Sequence, residues 1–225
     1  MNVKDDRFYD TLGFYQLSWG EPQPAPRACD FTVAFSGWPD IPTALENSAT
    51  IFPGMTGKKF LSLGGGAETG RFTANNLQAN LQAIGAGAVD EYDGVCFDIE
   101  VCDAGLESLF EQCFALLKGL GKGVFVTVSH SAPYEASDAA TLMTALLASH
   151  NIDTLSPQMY TTGSESAPVL DPNWALPWSA WADAVPAIAP SVAFESHYPA
   201  VVSFMLTVNP NMNIVGCCIW NTKAP

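Results

Sequence analysis

Asp98 and Glu100 stand two residues apart in the run Tyr92-Asp93-Gly94-Val95-Cys96-Phe97-Asp98-Ile99-Glu100. Side chains alternate along a β-strand, so a strand over this run puts Cys96, Asp98 and Glu100 on one face and Val95, Phe97 and Ile99 on the other. Two carboxylates stacked on one face repel each other, which raises one pKa and keeps that group protonated near neutrality. A carboxyl group that holds its proton at neutral pH is what a general acid requires. Acids that close a strand also cap helices or bind lysine, so the meaning of the pair depends on where the chain carries it.

Short apolar runs rich in Val, Ile, Phe and Tyr recur along the chain at 12–17, 31–35, 60–63, 94–99, 124–128, 152–160, 192–194 and 214–220. Bounded by Gly, Pro, Ser and Asn, they read as eight buried strands. Segments of helical period lie between them. Leu77, Leu81 and Ile84 repeat inside 73–88, and Leu106, Leu109, Phe110, Cys113, Leu116 and Leu117 inside 104–120. Leu142, Met143, Leu146 and Leu147 follow Ser137-Asp138, an expected N-cap. Segments 40–50, 174–189 and 198–208 are more weakly helical, and the proline-rich stretch 20–29 leaves no room for a helix. Alternating strand and helix implies parallel strands joined by crossovers. Eight of them close into a (β/α)₈ barrel, which typically needs about 250 residues, so short loops are expected here. An open doubly wound sheet fits the alternation equally well. With no linker or repeat, residues 1–225 read as one domain.

Nine Lys plus Arg stand against 23 Asp plus Glu, a formal net charge of −14. Such a surface repels phosphate backbones and anionic lipids, which argues against nucleic-acid and membrane-surface partners. About half of the 225 residues are apolar (48%), enough for a large core. Residues 1–10 are polar and charged, without the apolar core of a signal peptide. No stretch approaches the roughly 20 apolar residues of a membrane helix. A soluble chain is expected, with secreted and cytoplasmic locations both open. Six cysteines show no CxxC pair and leave the redox compartment open.

DGVCFDIE (93–100) resembles the DGxDxDxE signature of the family-18 glycoside hydrolases, and most closely the DFDIE form of plant class III chitinases. Lys59-Phe60-Leu61-Ser62-Leu63-Gly64-Gly65-Gly66 is similar to the family's SxGG third strand. Ser156-Pro157-Gln158-Met159-Tyr160 is similar to the Q-M/F-Y that ends its sixth strand, and Ile219-Trp220 to the strand carrying a tryptophan under the bound sugar. Gly13-Phe14-Tyr15 and Trp19 look like its first strand. The ordered set spans essentially the whole chain.

The resemblance implies a compact (β/α)₈ (TIM) barrel, expected as a monomer. It also implies cleavage of β-1,4-linked N-acetylglucosamine in chitin or chito-oligosaccharides by substrate-assisted, retaining hydrolysis. Glu100 would be the acid, Asp98 would orient the substrate's acetamide, and Tyr160 would donate its hydroxyl to the acetamide oxygen. Trp220 would floor the sugar site, Gln158 would hold the sugar's polar rim, and Tyr15 would line the pocket. No cofactor and no metal are implied. Cys96 departs from the pattern, where the family has an aspartate. A neutral thiol there removes a negative neighbour, so Asp98 is expected to ionise more easily. A non-catalytic sugar-binding or storage protein of the same fold, and an endo-acting glycosidase on N-glycans, are the alternatives.

Gly64-Gly65-Gly66 fits neither a P-loop nor a dinucleotide fingerprint and reads as close packing at a strand end. His130, His150 and His197 lack metal spacing, and no G-x-S-x-G elbow occurs. Trp174, Trp178 and Trp181 follow helical spacing and are expected to pack a helix. One of the adjacent Cys217 and Cys218 should point into the barrel.

Overall fold

The computed structural model describes residues 11–21, 23–26 and 29–222. The charged start at 1–10 therefore lies outside the described residues. Nine short strands are described: β1 (Thr11–Leu17), β2 (Phe31–Phe35), β3 (Lys58–Gly64), β4 (Gly94–Ile99), β5 (Gly123–Ser129), β6 (Thr154–Gln158), β7 (Ala187–Ile188), β8 (Ser191–Val192) and β9 (Gly216–Ile219). All pair in parallel, each of β1 to β5 with its successor. The ring is closed by β5 on β6, β6 on both β7 and β8, β8 on β9, and β9 back on β1. β7 and β8 form one stave, broken where Pro190 offers no N–H to the ladder, so the ring has eight positions. The fold is a (β/α)₈ barrel, and the open sheet is excluded.

Five α-helices are described: α1 (Ile41–Ser48), α2 (Ala74–Gly85), α3 (Glu107–Gly119), α4 (Ala139–Ala148) and α5 (Tyr198–Val208). α2 starts in a capping box, with the Thr73 hydroxyl accepting from the Asn76 amide and the Asn76 side chain accepting from the Thr73 amide. Asp138 precedes α4 as expected but does not cap it, because its carboxylate accepts instead from the Gly105 amide at 2.6 Å. The weakly helical reading of 174–189 is not met. That segment holds one 3₁₀ turn, Trp178–Trp181, followed by β7, since Pro177 and Pro186 confine it. Trp178 and Trp181 are buried there, but Trp174 is not. The seventh strand also begins earlier than the apolar run at 192–194. Among the described residues, no helix is long and apolar enough to cross a membrane.

Two apolar layers follow from strand alternation. Val95, Phe97 and Ile99 face outward into the core between staves and helices, while Cys96 faces inward with Tyr15, Val33, Phe125 and Cys218. Cys217 joins the outer layer, so the adjacent cysteines do split between the two faces; all six cysteines are free thiols. Three phenyl rings plug the N-terminal end of the bore. Phe31 lies 5.6 Å from Phe60 and 5.5 Å from Phe125 between ring centroids. Glycines make room for them: a Cβ on Gly13 would stand 2.0 Å from the Phe31 ring, and one on Gly94 2.4 Å from Phe60.

Gly13→Ala should therefore overpack this plug at about 1–3 kcal/mol and lower the thermal midpoint. Phe31→Leu in the same chain should recover part of the loss. Strict additivity of the two changes in a double-mutant cycle would show that the plug is not the cause.

Candidate active site

Parallel staves end together, so the residues closing β4, β5, β6 and β9 meet at one mouth. Asp98 lies in β4 at 2% exposure, and Glu100 follows the strand by one residue. Gln158, the last residue of β6, bridges them: its Nε2 donates to Asp98 Oδ1 at 2.9 Å and to Glu100 Oε1 at 3.3 Å. From the end of β5, the Ser129 hydroxyl donates to Glu100 Oε2 at 3.0 Å. Glycines at the end of β3 and just past it permit this closeness. A Cβ on Gly66 would sit 3.1 Å from a Glu100 oxygen, and one on Gly64, at φ +88°, would sit 2.3 Å from the Asp98 carbonyl oxygen. Close packing thus accounts for Gly64 and Gly66.

Tyr15 enters from β1 with its hydroxyl 2.9 Å from Ser191 Oγ, which is in turn 2.7 Å from Ser156 Oγ. That hydroxyl is engaged with other staves, so Tyr15 presents its ring to the mouth rather than its oxygen. Trp220, just past β9, lies 5.5 Å from the Tyr15 ring and 5.9 Å from the Tyr160 ring. Gly163 presses on the indole, since a Cβ there would approach it to 2.2 Å. Glu165 braces that loop by accepting from the Thr161, Thr162 and Gly163 amides. Although burial opposes it, this set of donors lowers the Glu165 carboxyl to about 2. Tyr15, Asp98, Glu100, Gln158, Tyr160 and Trp220 all line one cavity of about 660 Å³.

Burial and then the neighbouring Glu100 carboxyl push the Asp98 pKa well up, and the two groups lie close enough to share a proton. The expected mutual repulsion is present, and it raises Asp98. A thiol at position 96 removes one negative neighbour, but burial and Glu100 remain and hold the Asp98 pKa above its ordinary value. Cys96 itself is fully buried, and burial followed by the Asp98 charge raises its pKa, so it stays a neutral thiol. Tyr160 is raised by burial and then by Asp98 and Glu100, which keeps it a donor at working pH.

Trp38, Tyr134, Ser129 and His130 are among the lining residues that were not read as site residues from sequence. Trp38 and Tyr134 are partly exposed aromatics on the rim, at 37% and 43%, in loops without a strand signal. Ser129 and His130 follow the fifth apolar run, and the polar turn after that run was the available signal. His130 is held at φ +49°, the one positive φ among the described non-glycine residues. Its amide donates to the Gln158 carbonyl and its Nε2 lies 3.1 Å from the Tyr160 carbonyl oxygen, so it pins the end of β6. Among the described residues, no group of three His, Cys, Asp or Glu could hold a metal ion.

No protein-family model matches the sequence, and no curated protein sequence is similar to it. Among solved structures, the chain is similar to the chitinase from Chromobacterium violaceum ATCC 12472, with a TM-score of 0.50 and 11% identity. The alignment covers 81% of this chain and 68% of that one. At that identity the likeness concerns the barrel.

A raised carboxyl pKa in the folded state means that the folded form holds its proton more tightly than the unfolded chain. Stability then falls as pH rises from the unfolded value near 3.9 through the raised folded value. Asp98→Asn removes that loss and should stabilise the protein at neutral pH by about 1 kcal/mol, the usual scale of a stabilising change. The gain should vanish below about pH 4. Thermal melts of both proteins across that range test this, and a gain independent of pH would rule out the ionisation of Asp98 as its source.

Proposed function

We propose that the protein is a glycoside hydrolase acting on β-1,4-linked N-acetylglucosamine, in chitin or chito-oligosaccharides. The observation that carries this reading is the pair Asp98 and Glu100, bridged by Gln158, in a cavity floored by Tyr15, Tyr160 and Trp220. Aromatic rings offer faces for a sugar ring, and the carboxyl pair offers both a proton and a negative charge. The likeness to a chitinase barrel agrees with the reading.

In this mechanism the sugar rests on Trp220 with its acetamide turned toward Asp98 and Tyr160. The proton held by Asp98 passes to the adjoining Glu100 as the acetamide N–H takes its place. Glu100 donates it to the glycosidic oxygen as the bond to the anomeric carbon breaks, which leaves Asp98 a carboxylate. The acetamide carbonyl oxygen bonds to that carbon, giving a positively charged five-membered ring. Asp98 stabilises the charge through the acetamide N–H, and the Tyr160 hydroxyl, which bonds to no described side chain, donates to the acetamide oxygen. Water then opens the ring at the anomeric carbon, passing a proton to Glu100 and restoring the acid. Two displacements leave the configuration retained. Ser129 and Gln158 hold Glu100 through this exchange.

Glu100→Gln should abolish turnover of a fluorogenic N-acetylglucosamine oligomer while leaving binding intact, because an amide cannot donate the required proton. Full retained rate would refute the catalytic reading, and binding without turnover by the wild type would identify a sugar-binding protein. Calorimetry should favour chito- over cello-oligosaccharide, since a site that hydrogen-bonds an acetamide rejects sugars lacking it. Equal affinity would count against the acetamide site.

Cys96→Asp should move the acidic limb of the pH–rate profile upward. The new carboxyl adds a like charge beneath Asp98, and the coupled group gives up its proton later. An unmoved profile would show that position 96 does not feel the titration of the pair.

A further inference from the structure

We infer that His130 is a positioning residue for Tyr160: its imidazole fixes the backbone from which the Tyr160 hydroxyl is aimed, and the rate at the mouth depends on that aim. This rests on the glycosidase reading above, in which the Tyr160 hydroxyl donates to the acetamide oxygen.

Tyr160 stands where regular structure ends. β6 closes at Gln158, and no helix or strand is described between there and Trp178, so the chain two residues past the ladder needs another support. His130 supplies it from the neighbouring stave. Its amide donates to the Gln158 carbonyl at 3.1 Å, and its Nε2 lies 3.1 Å from the Tyr160 carbonyl oxygen. A carbonyl only accepts, so Nε2 carries the proton in that contact. Residues two apart in extended chain turn their side chains to one face. By its main chain and its ring, His130 therefore holds both Gln158 and Tyr160, which line the mouth together.

The backbone shows why the ring points this way. His130 sits at φ +49°, where a Cβ crowds the backbone and where Asn, Asp and His are found more often than other side chains. Such a conformation persists only where its surroundings over-determine it. Ser131 does so from one side. It is fully buried, its hydroxyl donates to the Leu176 carbonyl at 2.6 Å and accepts from the Asn173 amide at 2.7 Å, and its carbonyl accepts from the Trp181 indole at 3.0 Å. Ser129 does so from the other, with its hydroxyl on Glu100 at 3.0 Å. With one serine turned into the bore and the next tied outside it, the chain reverses at position 130 and carries the imidazole to the segment after β6. The ring is only partly buried, so it is not there to fill the core.

The test separates the reach of the side chain from the strain of the backbone. His130→Asn and His130→Gly suit a positive φ, but neither extends to the Tyr160 carbonyl. His130→Gln places an amide nitrogen where Nε2 stood and tolerates that φ less well. Thermal midpoints should therefore rank Asn and Gly above Gln. The kcat on a fluorogenic N-acetylglucosamine oligomer should rank them the other way, falling roughly tenfold for Asn and Gly with KM little changed, and returning most of the way for Gln. In a Tyr160→Phe background, which has no hydroxyl to aim, His130→Asn should cost less than about twofold. Rates that follow the midpoints, or an equal loss for His130→Asn with and without the Tyr160 hydroxyl, overturn the positioning role and leave the glycosidase reading in place. A wild type that does not turn over the oligomer overturns both.

Discussion

Burying the carboxyl of Asp98 inside a closed ring of strands is the constraint on which the rest of the mouth depends. An isolated buried carboxylate is strongly disfavoured, so the protein must either keep it protonated or surround it with donors. Both devices are present. Glu100 lies near enough to share a proton with Asp98, and Gln158 donates to both groups. Gln158 can do so only because β5 separates β4 from β6, which lets an inward side chain at the end of β6 reach over that stave. Ser129, on that intervening stave, supplies the donor to the outer carboxyl. The pair is thus a property of three adjacent staves in one register.

Closure also sets a gradient of polarity along the bore. At the N-terminal end, phenyl rings fill volume vacated by glycines. In the middle are hydroxyls and thiols that bond mainly to one another, such as Tyr15, Ser191 and Ser156. Only at the C-terminal mouth do carboxyl groups appear. A charge placed lower would have neither solvent nor partners. The apolar plug beneath Asp98 lowers the local polarity, which strengthens the interaction of Asp98 with Glu100 above it.

Much of this was legible because strand alternation is a strict rule. The spacing of Cys96, Asp98 and Glu100 already placed all three on one face, and seven of the eight staves lie within or close to their apolar runs. The Ile152–Tyr160 region is shorter as a strand than its run, and the seventh stave begins earlier because Pro190 splits it and two-residue pieces carry no periodicity. The helical reading of 174–189 failed for a related reason: the spacing of three tryptophans mimicked a helix that Pro177 and Pro186 do not allow. Trp174 was misjudged with it. Rim residues such as Trp38 and Tyr134 sit in loops, where local sequence says little about direction, and only the closed barrel shows that those loops share a mouth. The repulsion between Asp98 and Glu100 was legible from their spacing, but which of the two it raises depends on burial, which local sequence does not give.

Position 96 shows what local chemistry adds to the frame. Cys96 pairs in register with Ser62 on β3, and the Ser62 hydroxyl is buried without an oxygen or nitrogen partner. On the opposite side, Thr127 pairs with Asp98 in register and its hydroxyl is likewise unpartnered. Orphaned buried hydroxyls cost stability, and a thiol is a weak acceptor. A carboxyl at 96 would give Ser62 an acceptor but would bring a further charge into the layer directly beneath Asp98. The thiol resolves the conflict in the other direction: it leaves a hydroxyl poorly satisfied and keeps the proton shared between two carboxyls instead of three. At the mouth, burial and then Glu100 raise the Asp98 pKa, with Gln158 and Ser129 as the donors that hold the two carboxyls in place.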